Sequence, residues 1–374
     1  MDEADGGGSS PRVDREDRIA RLRLMRTPTV GPVTYAQLLA RFGTPAAALE
    51  AVPDLARRGG GKPPTVPPRG SIEREVEAVE KVGARYLFLG LPGYPAMLAT
   101  IPTAPPALIV RGRRALLDRP VVGMVGARNA SASAGRFARG MAAELGERGV
   151  TIASGLARGI DTAAHQGSME AGTVAVIAGG IDVAYPPENA ELQERIANEG
   201  LLIAEQPPGI EPRARHFPYR NRIIAGLSQA VLVVEAAPKS GSLITARYGG
   251  EYGREVLAVP GSPLDPRAQG CNLLIREGAT LVQTVDDVME ALRPIDPRML
   301  GEPGGGGYGV PRPAADAGDA DRRAVTELLG PVPTPIDEII RQSALPPAIV
   351  QTVLLELELA GRLERHAGGQ VSLA

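Results

Sequence analysis

The 374-residue sequence predicts an α/β protein with a buried parallel sheet in its middle, short helices before it and a winged helix after it. In the middle of the chain, β-rich apolar runs recur every 23 to 29 residues, which leaves room for a loop and a helix between strands. One such gap holds the helical pattern RFARGMAAELGER. The runs begin near Val121, Val150, Thr173, Leu201, Ala230, Glu255 and Ala279.

Both ends of the chain predict smaller units. The last 54 residues carry three helical patterns and then two alternating strands around a Gly-Gly turn, the layout of a winged helix. Near the other end, residues 30–49 form a helix, a Gly-bearing turn and a second helix. That pattern fits a helix-hairpin-helix or SAM-like unit that contacts DNA, and it fits a small packing domain equally well.

Two Pro- and Gly-rich segments, Gly59 to Ser71 and Gly301 to Ala320, divide the chain. We therefore predict a disordered leader at 1–17, a small helical domain and linker at 18–70, the sheet domain at 71–298, a flexible linker at 299–320 and a winged-helix-like domain at 321–374.

Composition excludes several classes of protein. The single cysteine, Cys271, rules out an intrachain disulfide framework, and three scattered histidines support no metal site. A net charge of −2 gives the whole chain no attraction for nucleic acid or membrane, so any such binding must be local. The first 18 residues contain no apolar run, and no stretch reaches the ~20 apolar residues that span a bilayer. We expect a cytoplasmic protein without membrane contact.

The loop after the first predicted strand of the sheet has the features of a phosphate site. Gly126 lets a phosphate approach the backbone, Arg128 adds a positive charge, and a helix predicted to begin near Arg136 offers unpaired N–H groups. A dinucleotide site is disfavoured, because the glycines do not form G-x-G-x-x-G and no carboxylate ends the second strand. The sequence also lacks a P-loop.

The next loop, SGLARGIDTAAHQG, presents Gly155 and Arg158 before a helix that carries Asp161 and His165. Their i, i+4 spacing fits an acid–base pair. It also fits a helix-start carboxylate that is hydrogen-bonded to a half-buried histidine. We favour the structural role, because no Ser or Cys nucleophile motif accompanies the pair.

The segment 211–222 combines positive charge with aromatic rings. It holds four arginines against one glutamate, together with Phe217 and Tyr219, in a chain with 12 aromatic residues. Arginines beside aromatic rings suit single-stranded nucleic acid, because phosphates need cations and unstacked bases need flat apolar faces. The alternative is a solvated loop that Phe217 anchors to the core, and the segment alone favours neither.

A fourth loop follows the fifth strand. Lys239, one of three lysines in the chain, precedes Ser240, Gly241, Ser242 and Thr245 at a predicted helix start, another surface that suits an anion. Strand-to-helix loops of a parallel sheet meet at one edge, so these four loops would line a single groove. A polymer of phosphates would use all of them.

Six motifs occur in order from Pro120 to about Arg293: GARNAS, SGLARGIDTAAH, GGIDVAYPPEN, FPYRNRIIAGLS, VVEAAPKSGSLITARYGGEYGREVLAVPG and GCNLLIREGA. Together they resemble the DNA-processing protein A (DprA or Smf) family. The resemblance implies an extended Rossmann-like parallel sheet with helices on both faces. The helical N-terminal piece and the C-terminal winged helix resemble domains that many members append.

The resemblance also implies a function. Family members are not enzymes: they bind single-stranded DNA that enters the cell in natural transformation, protect it and load the RecA recombinase onto it. They form homodimers through the Rossmann-like domain and need no nucleotide cofactor.

Carried onto this sequence, the resemblance implies that Gly126 and Arg128 hold a phosphate and that Phe217 stacks a base. The remaining implied DNA-binding residues are Ser154, Gly155, Arg158, Arg220, Asn221, Arg222, Lys239, Ser240, Gly241, Ser242 and Thr245. For the last four of these, support of the backbone competes with direct contact.

The third helix of the C-terminal unit departs from a duplex-DNA reader. It carries Glu356 and Glu358 and no basic residue before Arg362, although this helix enters the major groove in DNA-binding winged helices. Because carboxylates repel phosphates, we predict that this helix docks a protein instead.

The competing hypothesis is an enzyme, a nucleoside-monophosphate phosphoribohydrolase of the lysine-decarboxylase-like (LOG) class. Glu251 would be its catalytic carboxylate. Such enzymes typically carry PGGxGTxxE, and the corresponding stretch here, SGSLITARYGGE, lacks that pattern.

Overall fold

The structure is a computed structural model that describes residues 14–293, 316–366 and 368–374. The chain divides into two compact units, here called the terminal unit (Met1–Arg74 with Glu302–Ala374) and the sheet unit (Glu75–Gly301). The described helices are α1 (Arg15–Met25), α2 (Pro32–Phe42), α3 (Pro45–Arg58), α4 (Arg69–Lys81), α5 (Ala96–Ala99), α6 (Ala132–Glu147), α7 (Ile160–Ser168), α8 (Ala190–Glu199), α9 (His216–Leu227), α10 (Ser242–Glu251), α11 (Gln269–Arg276), α12 (Val285–Ala291), α13 (Asp319–Glu327), α14 (Ile336–Ser343) and α15 (Pro347–Leu359). The described strands are β1 (Arg85–Phe88), β2 (Ala107–Gly112), β3 (Val121–Val125), β4 (Thr151–Ser154), β5 (Thr173–Gly180), β6 (Leu201–Gln206), β7 (Ala230–Val233), β8 (Glu255–Ala258), β9 (Thr280–Leu281), β10 (Thr334–Pro335), β11 (Leu363–His366) and β12 (Gln370–Leu373).

Nine strands form the large sheet, in the order β1-β2-β6-β5-β4-β3-β7-β8-β9. The seven predicted strands are present as β3 to β9 and pair in parallel. The sheet is not wholly parallel, because β1 and β2 add an antiparallel edge beside β6. Sequence reasoning missed these two strands because no crossover helix separates them from their neighbours at the spacing of a βαβ repeat.

Both faces of the sheet are covered by helices, which confirms the predicted fold class. In β3, Val121 and Val125 join the core cluster that contains residues of α9 and α10, whereas Val122 and Met124 join the cluster formed with α6. A strand buried on both faces has no polar alternation, which explains its continuous apolar run. Helix α6 begins four residues before the predicted start, because Ser131 caps it by accepting a hydrogen bond from the Ala134 N–H (3.1 Å).

The terminal unit joins sequence segments from both ends of the chain. Leu355 and Leu359 of α15 lie in one hydrophobic cluster with residues of the N-terminal helices, among them Leu38, Val52 and Leu55. Polar contacts add to this packing: the Gln37 amide donates to Gln351 (3.0 Å), and the hydroxyl of Thr29 donates to the Leu359 carbonyl (3.3 Å). The N-terminal helices and the winged helix therefore share a hydrophobic core.

The first residues of the predicted linker are part of this packing. A Cβ atom on Gly59 would lie 2.1 Å from the carbonyl oxygen of Glu356, and one on Gly61 would lie 2.4 Å from that of Ala360. Gly59 comes directly after α3, so the end of α3 contacts the end of α15 at backbone distance.

The predicted reason why α15 does not read duplex DNA is wrong. Glu356 is fully buried and accepts hydrogen bonds from Arg322, and Glu358 accepts one from Arg365 (2.8 Å). Neither carboxylate is free to repel a phosphate. The expectation that α15 contacts protein instead of duplex DNA stays a prediction. Its basis is now that α15 packs against the N-terminal helices.

Most of the predicted leader and of the second predicted linker lies outside the described residues. Within the described ranges, α1 begins at Arg15 and α13 at Asp319. No helix in these ranges is long and apolar enough to cross a membrane. The same ranges contain no cluster of three His, Cys, Asp or Glu side chains that could hold a metal ion.

Candidate functional site

The strand order of the large sheet reverses at β3, which has β4 on one side and β7 on the other. Ligands of open α/β sheets bind beyond the carboxyl ends of the strands at such a point. Here the loops after β3 and β7 and the first turns of α9 and α10 surround a groove of about 780 Å³. Ten of the sequence-predicted residues line it: Gly126, Arg128, Phe217, Arg220, Asn221, Lys239, Ser240, Gly241, Ser242 and Thr245.

A second, smaller cavity of about 200 Å³ adjoins the groove. It is lined by Gly155 and Arg158 of the loop after β4 and by apolar residues from the loops after β5 and β6. Four residues line both spaces: Arg128, Ala157, Phe217 and Arg220. Two cations and one aromatic ring therefore stand at the junction of the groove and the cavity.

The Phe217 ring has close neighbours on this junction. The guanidinium carbon of Arg128 lies 5.2 Å from the ring centroid, within the range of a cation–π contact. The ring of Tyr185 lies at a centroid distance of 5.8 Å with an interplanar angle of 53°. A base that approached the ring from the arginine side would meet the flat guanidinium first.

Arg220 is a buried cation. The residue is only 6% exposed to solvent. Burial lowers its pKa to about 10, a shift that the charge of Asp161 opposes and that of Arg128 increases. The guanidinium remains protonated at neutral pH. Its Nε finds no hydrogen-bond partner among the described residues.

Asp161 and His165 do not form the expected pair. Oδ2 of Asp161 accepts hydrogen bonds from the N–H groups of Gly155 (3.1 Å) and Ala157 (3.3 Å). His165 is fully buried instead of half-buried, and its Nδ1 lies 2.7 Å from the Thr173 hydroxyl. No hydrogen bond joins the two side chains in the described structure. Burial raises the pKa of Asp161 and lowers that of His165 to about 3, so the imidazole is neutral at pH 7.

Two predicted site residues lie away from both cavities. The hydroxyl of Ser154 is buried and donates to the carbonyl of Met124 (2.6 Å). Arg222 donates to the Thr103 carbonyl and to Glu205, each at 2.6 Å. Neither residue lines the groove or the smaller cavity.

Other predicted residues support the groove through packing. A Cβ atom on Gly126 would lie 2.6 Å from the Ile160 side chain, so a glycine lets the loop after β3 pack on α7. The Asn221 amide donates to the Gly241 carbonyl (3.2 Å) and links α9 to the start of α10.

The other two predicted cations are exposed. Arg158 lies 3.7 Å from Glu188. Lys239 is exposed at the groove.

Sequence reasoning missed Tyr185, Pro186 and Arg267. The first two line the smaller cavity and the third lines the groove. Tyr185 and Pro186 come after β5 in the motif GGIDVAYPPEN, and their position after a strand of the same sheet was a usable signal. Arg267 lies in the loop between β8 and α11, which also follows the carboxyl end of a parallel strand, so the same signal was usable.

Glu251, the carboxylate of the competing enzyme hypothesis, is the last residue of α10. The first turn of that helix lines the groove, and nine residues of helix span about 13 Å. Glu251 lines neither cavity and pairs with Arg247 at 3.5 Å.

Three family profiles match three separate parts of the chain. The profile described as "DNA recombination-mediator protein A" matches residues 85–293, a DprA-like N-terminal HHH domain matches 15–78, and a DprA winged helix domain matches 310–369. Protein Smf of Synechocystis is 38% identical over 309 residues, which cover 74% of this chain and 77% of that protein. The DNA processing protein DprA of Streptococcus pneumoniae is 46% identical over 198 residues, or 52% of this chain and 70% of that protein.

Two solved structures are similar in fold. The X-ray structure of pneumococcal DprA aligns with a TM-score of 0.61 at 32% identity and covers 75% of this chain and 98% of its own. A Helicobacter pylori DprA structure, described as revealing a unique single-stranded DNA binding mode, aligns with a TM-score of 0.51 at 28% identity and covers 56% and 95%. On the sequence profiles, the identities and the shared fold, this chain belongs to the DNA recombination-mediator protein A family, whose members are also named DprA and Smf.

Proposed function

We propose that the groove binds single-stranded DNA. The observation that carries the proposal is the junction of Arg128, Phe217 and Arg220, which line both the open groove and the adjoining cavity. The groove suits a chain of phosphates because it carries arginine, lysine and the first turn of α10, and the ring suits an unstacked base. The single-strand binding described for the H. pylori relative supports this assignment.

The assignment gives the predicted residues two kinds of role. Arg128, Arg220 and Lys239 supply charge for the phosphates, and Phe217 supplies the stacking face. Asn221 and the glycine and hydroxyl residues shape the groove: Gly126, Ser240, Gly241, Ser242 and Thr245. Gly155 and Arg158 border the smaller cavity. We leave Ser154 and Arg222 outside the contact set, because their polar groups are used within the protein.

From family membership we further propose a role for the protein once the strand is bound. The protein protects the strand and loads RecA onto it in natural transformation and recombination, in the cytoplasm and as a homodimer formed through the sheet unit. No catalytic step and no nucleotide cofactor are part of this proposal. Incubation with AMP tests the enzyme alternative, since release of free base would contradict a purely binding role.

Binding is tested by gel shift of an oligo(dT) strand and of a duplex of equal length at two salt concentrations. We expect preference for the single strand and an affinity that falls steeply with salt. Phe217→Ala should weaken binding by about 5- to 150-fold, the equivalent of roughly 1–3 kcal/mol for one stacked base. Phe217→Leu keeps an apolar side chain without the ring and should lose nearly as much.

Arg128→Ala should weaken binding and also lower its salt dependence, because one phosphate contact is lost. Arg195→Ala is the matched control, since it removes an exposed arginine of α8 that lines neither cavity. An Arg128→Ala/Phe217→Ala protein that is folded and binds with full affinity would contradict the site. RecA loading is tested separately: RecA at a concentration that does not coat the strand alone should form a complex only when this protein is present.

A further inference from the structure

Gly155 has a buried carboxylate on one side and a buried guanidinium on the other. Its N–H donates to Oδ2 of Asp161 at 3.1 Å. On its other side, a Cβ atom would lie 1.3 Å from Nη1 of Arg220 and 2.3 Å from Cζ. Only a residue without a side chain leaves space for this guanidinium.

Charge favours the same arrangement. Arg220 and Asp161 are both only 6% exposed, and Arg128 brings a second positive charge to the junction. A buried guanidinium without a counter-charge is strongly unfavourable. Asp161 is the acidic side chain whose charge acts on Arg220, and it lines the groove.

The hydrogen bonds of Arg220 are incomplete. Its Nε has no acceptor among the described residues, although the side chain is buried between the groove and the cavity. An unpartnered buried donor is costly unless a ligand supplies the acceptor. A phosphate oxygen in the groove has the chemistry to do so.

We propose that Asp161 is a positioning residue for single-strand binding: its carboxylate is the counter-charge that holds the Arg220 guanidinium between the groove and the cavity, in the space that Gly155 leaves open. This inference rests on the proposed function of the groove. Asp161 itself makes no contact with the strand and acts through Arg220.

A double-mutant cycle on the full chain tests this role, with oligo(dT) as the probe. Asp161→Asn removes the charge while an amide oxygen can still accept the two loop N–H groups. Arg220→Met removes the guanidinium and keeps a long side chain. We expect each single variant to bind about tenfold or more weakly, in line with a lost charge-assisted hydrogen bond. The double variant should bind no more weakly than Arg220→Met alone.

The salt dependence of binding separates positioning from a general structural role. If Asp161 acts through Arg220, both single variants should lower the slope of log K against log salt by about 0.7, the value for one phosphate contact on a single strand. A loop that is merely loosened would weaken binding without that change. Losses that multiply in the double variant, or wild-type binding by Asp161→Asn, would overturn the inference and leave the proposed function standing. If the wild-type chain fails to bind oligo(dT), both fail.

A glycine pair provides the second variant, in case Asp161→Asn does not fold. Gly155→Ala should displace Arg220 and reproduce the affinity and the salt slope of Arg220→Met. Gly140→Ala is the control, because a Cβ atom on this exposed glycine of α6 meets nothing within 4 Å. Equal binding by the two alanine variants would contradict the placement of Arg220.

Discussion

His165 is a buried imidazole that no proposed function uses. It lies in α7, is fully buried, and has a pKa of about 3, chiefly because burial disfavours its charged form and secondarily because Arg220 is near. In the unfolded chain a histidine has a pKa of about 6.5. As the pH falls, the unfolded state binds the proton first. The contribution of neutral His165 to the free energy of unfolding is therefore fully present above about pH 6.5 and is lost as the pH drops towards 3.

The variant His165→Gln tests this effect, because glutamine does not titrate and can still hydrogen-bond to Thr173. We expect the free energy of unfolding of the wild-type sheet unit to fall more steeply below pH 6.5, by about 1.4 kcal/mol per pH unit relative to the variant. Urea unfolding at several pH values between 7.5 and 4 measures the difference. Parallel pH profiles would show that His165 is not buried in neutral form.

The arginines of FPYRNR show how far the sequence predicts the site at the level of single residues. Arg220 and Arg222 look alike in the motif, yet positions two apart on a helix point about 200° from one another. In α9 this phase turns Arg220 to the groove and Arg222 to Glu205. The sequence predicted the loops that meet, because strand ends define them. It could not predict which arginine faces the groove, since that depends on the residue at which α9 begins.

At the scale of elements, the close packing at the end of α15 can be tested by mutation. Gly61→Ala would place a Cβ atom 2.4 Å from the Ala360 carbonyl oxygen and 2.6 Å from the Ala360 Cβ, so the end of α15 would have to shift. We expect a loss of about 1–3 kcal/mol, typical of overpacking, in the transition of the terminal unit only.

Calorimetry of the full chain measures this effect, and Gly330→Ala is the control. A Cβ atom on Gly330 meets nothing within 4 Å. If the two alanine variants shift the transition of the terminal unit equally, the contact between the end of α3 and α15 is not close in solution.

The elements differ in how far the sequence predicts them. Strands β3 to β9 are predictable from apolar runs at a regular spacing, because a doubly covered parallel sheet imposes that pattern. The burial of α15 is not predictable from its own sequence, since PAIVQTVLLELEL is apolar on nearly all sides and a core helix can bury that surface against any partner. Its partner lies some 300 residues away in sequence, beyond the reach of local patterns.

At the scale of the whole molecule, the groove lies entirely within the sheet unit, and the terminal unit has its own core. A chain that lacks residues 301–374 should therefore bind oligo(dT) like the full chain. Loss of single-strand affinity in this folded variant would show that the winged helix contributes to the groove.

The same deletion should affect the other end of the chain. It removes Leu355 and Leu359 from the cluster that they share with the N-terminal helices. We expect the segment before residue 59 to become sensitive to protease in the deletion variant while it is protected in the full chain. Equal resistance in both proteins would show that the N-terminal helices are stable without α15.

The shared core of the terminal unit also constrains how this architecture can change in evolution. An ancestor that gained or lost only one of the two end segments would have exposed an apolar surface on the other, around Leu38 and Val52 or around Leu355 and Leu359. A descendant that keeps one alone should carry polar replacements at these positions, a pattern that an alignment of family members can reveal.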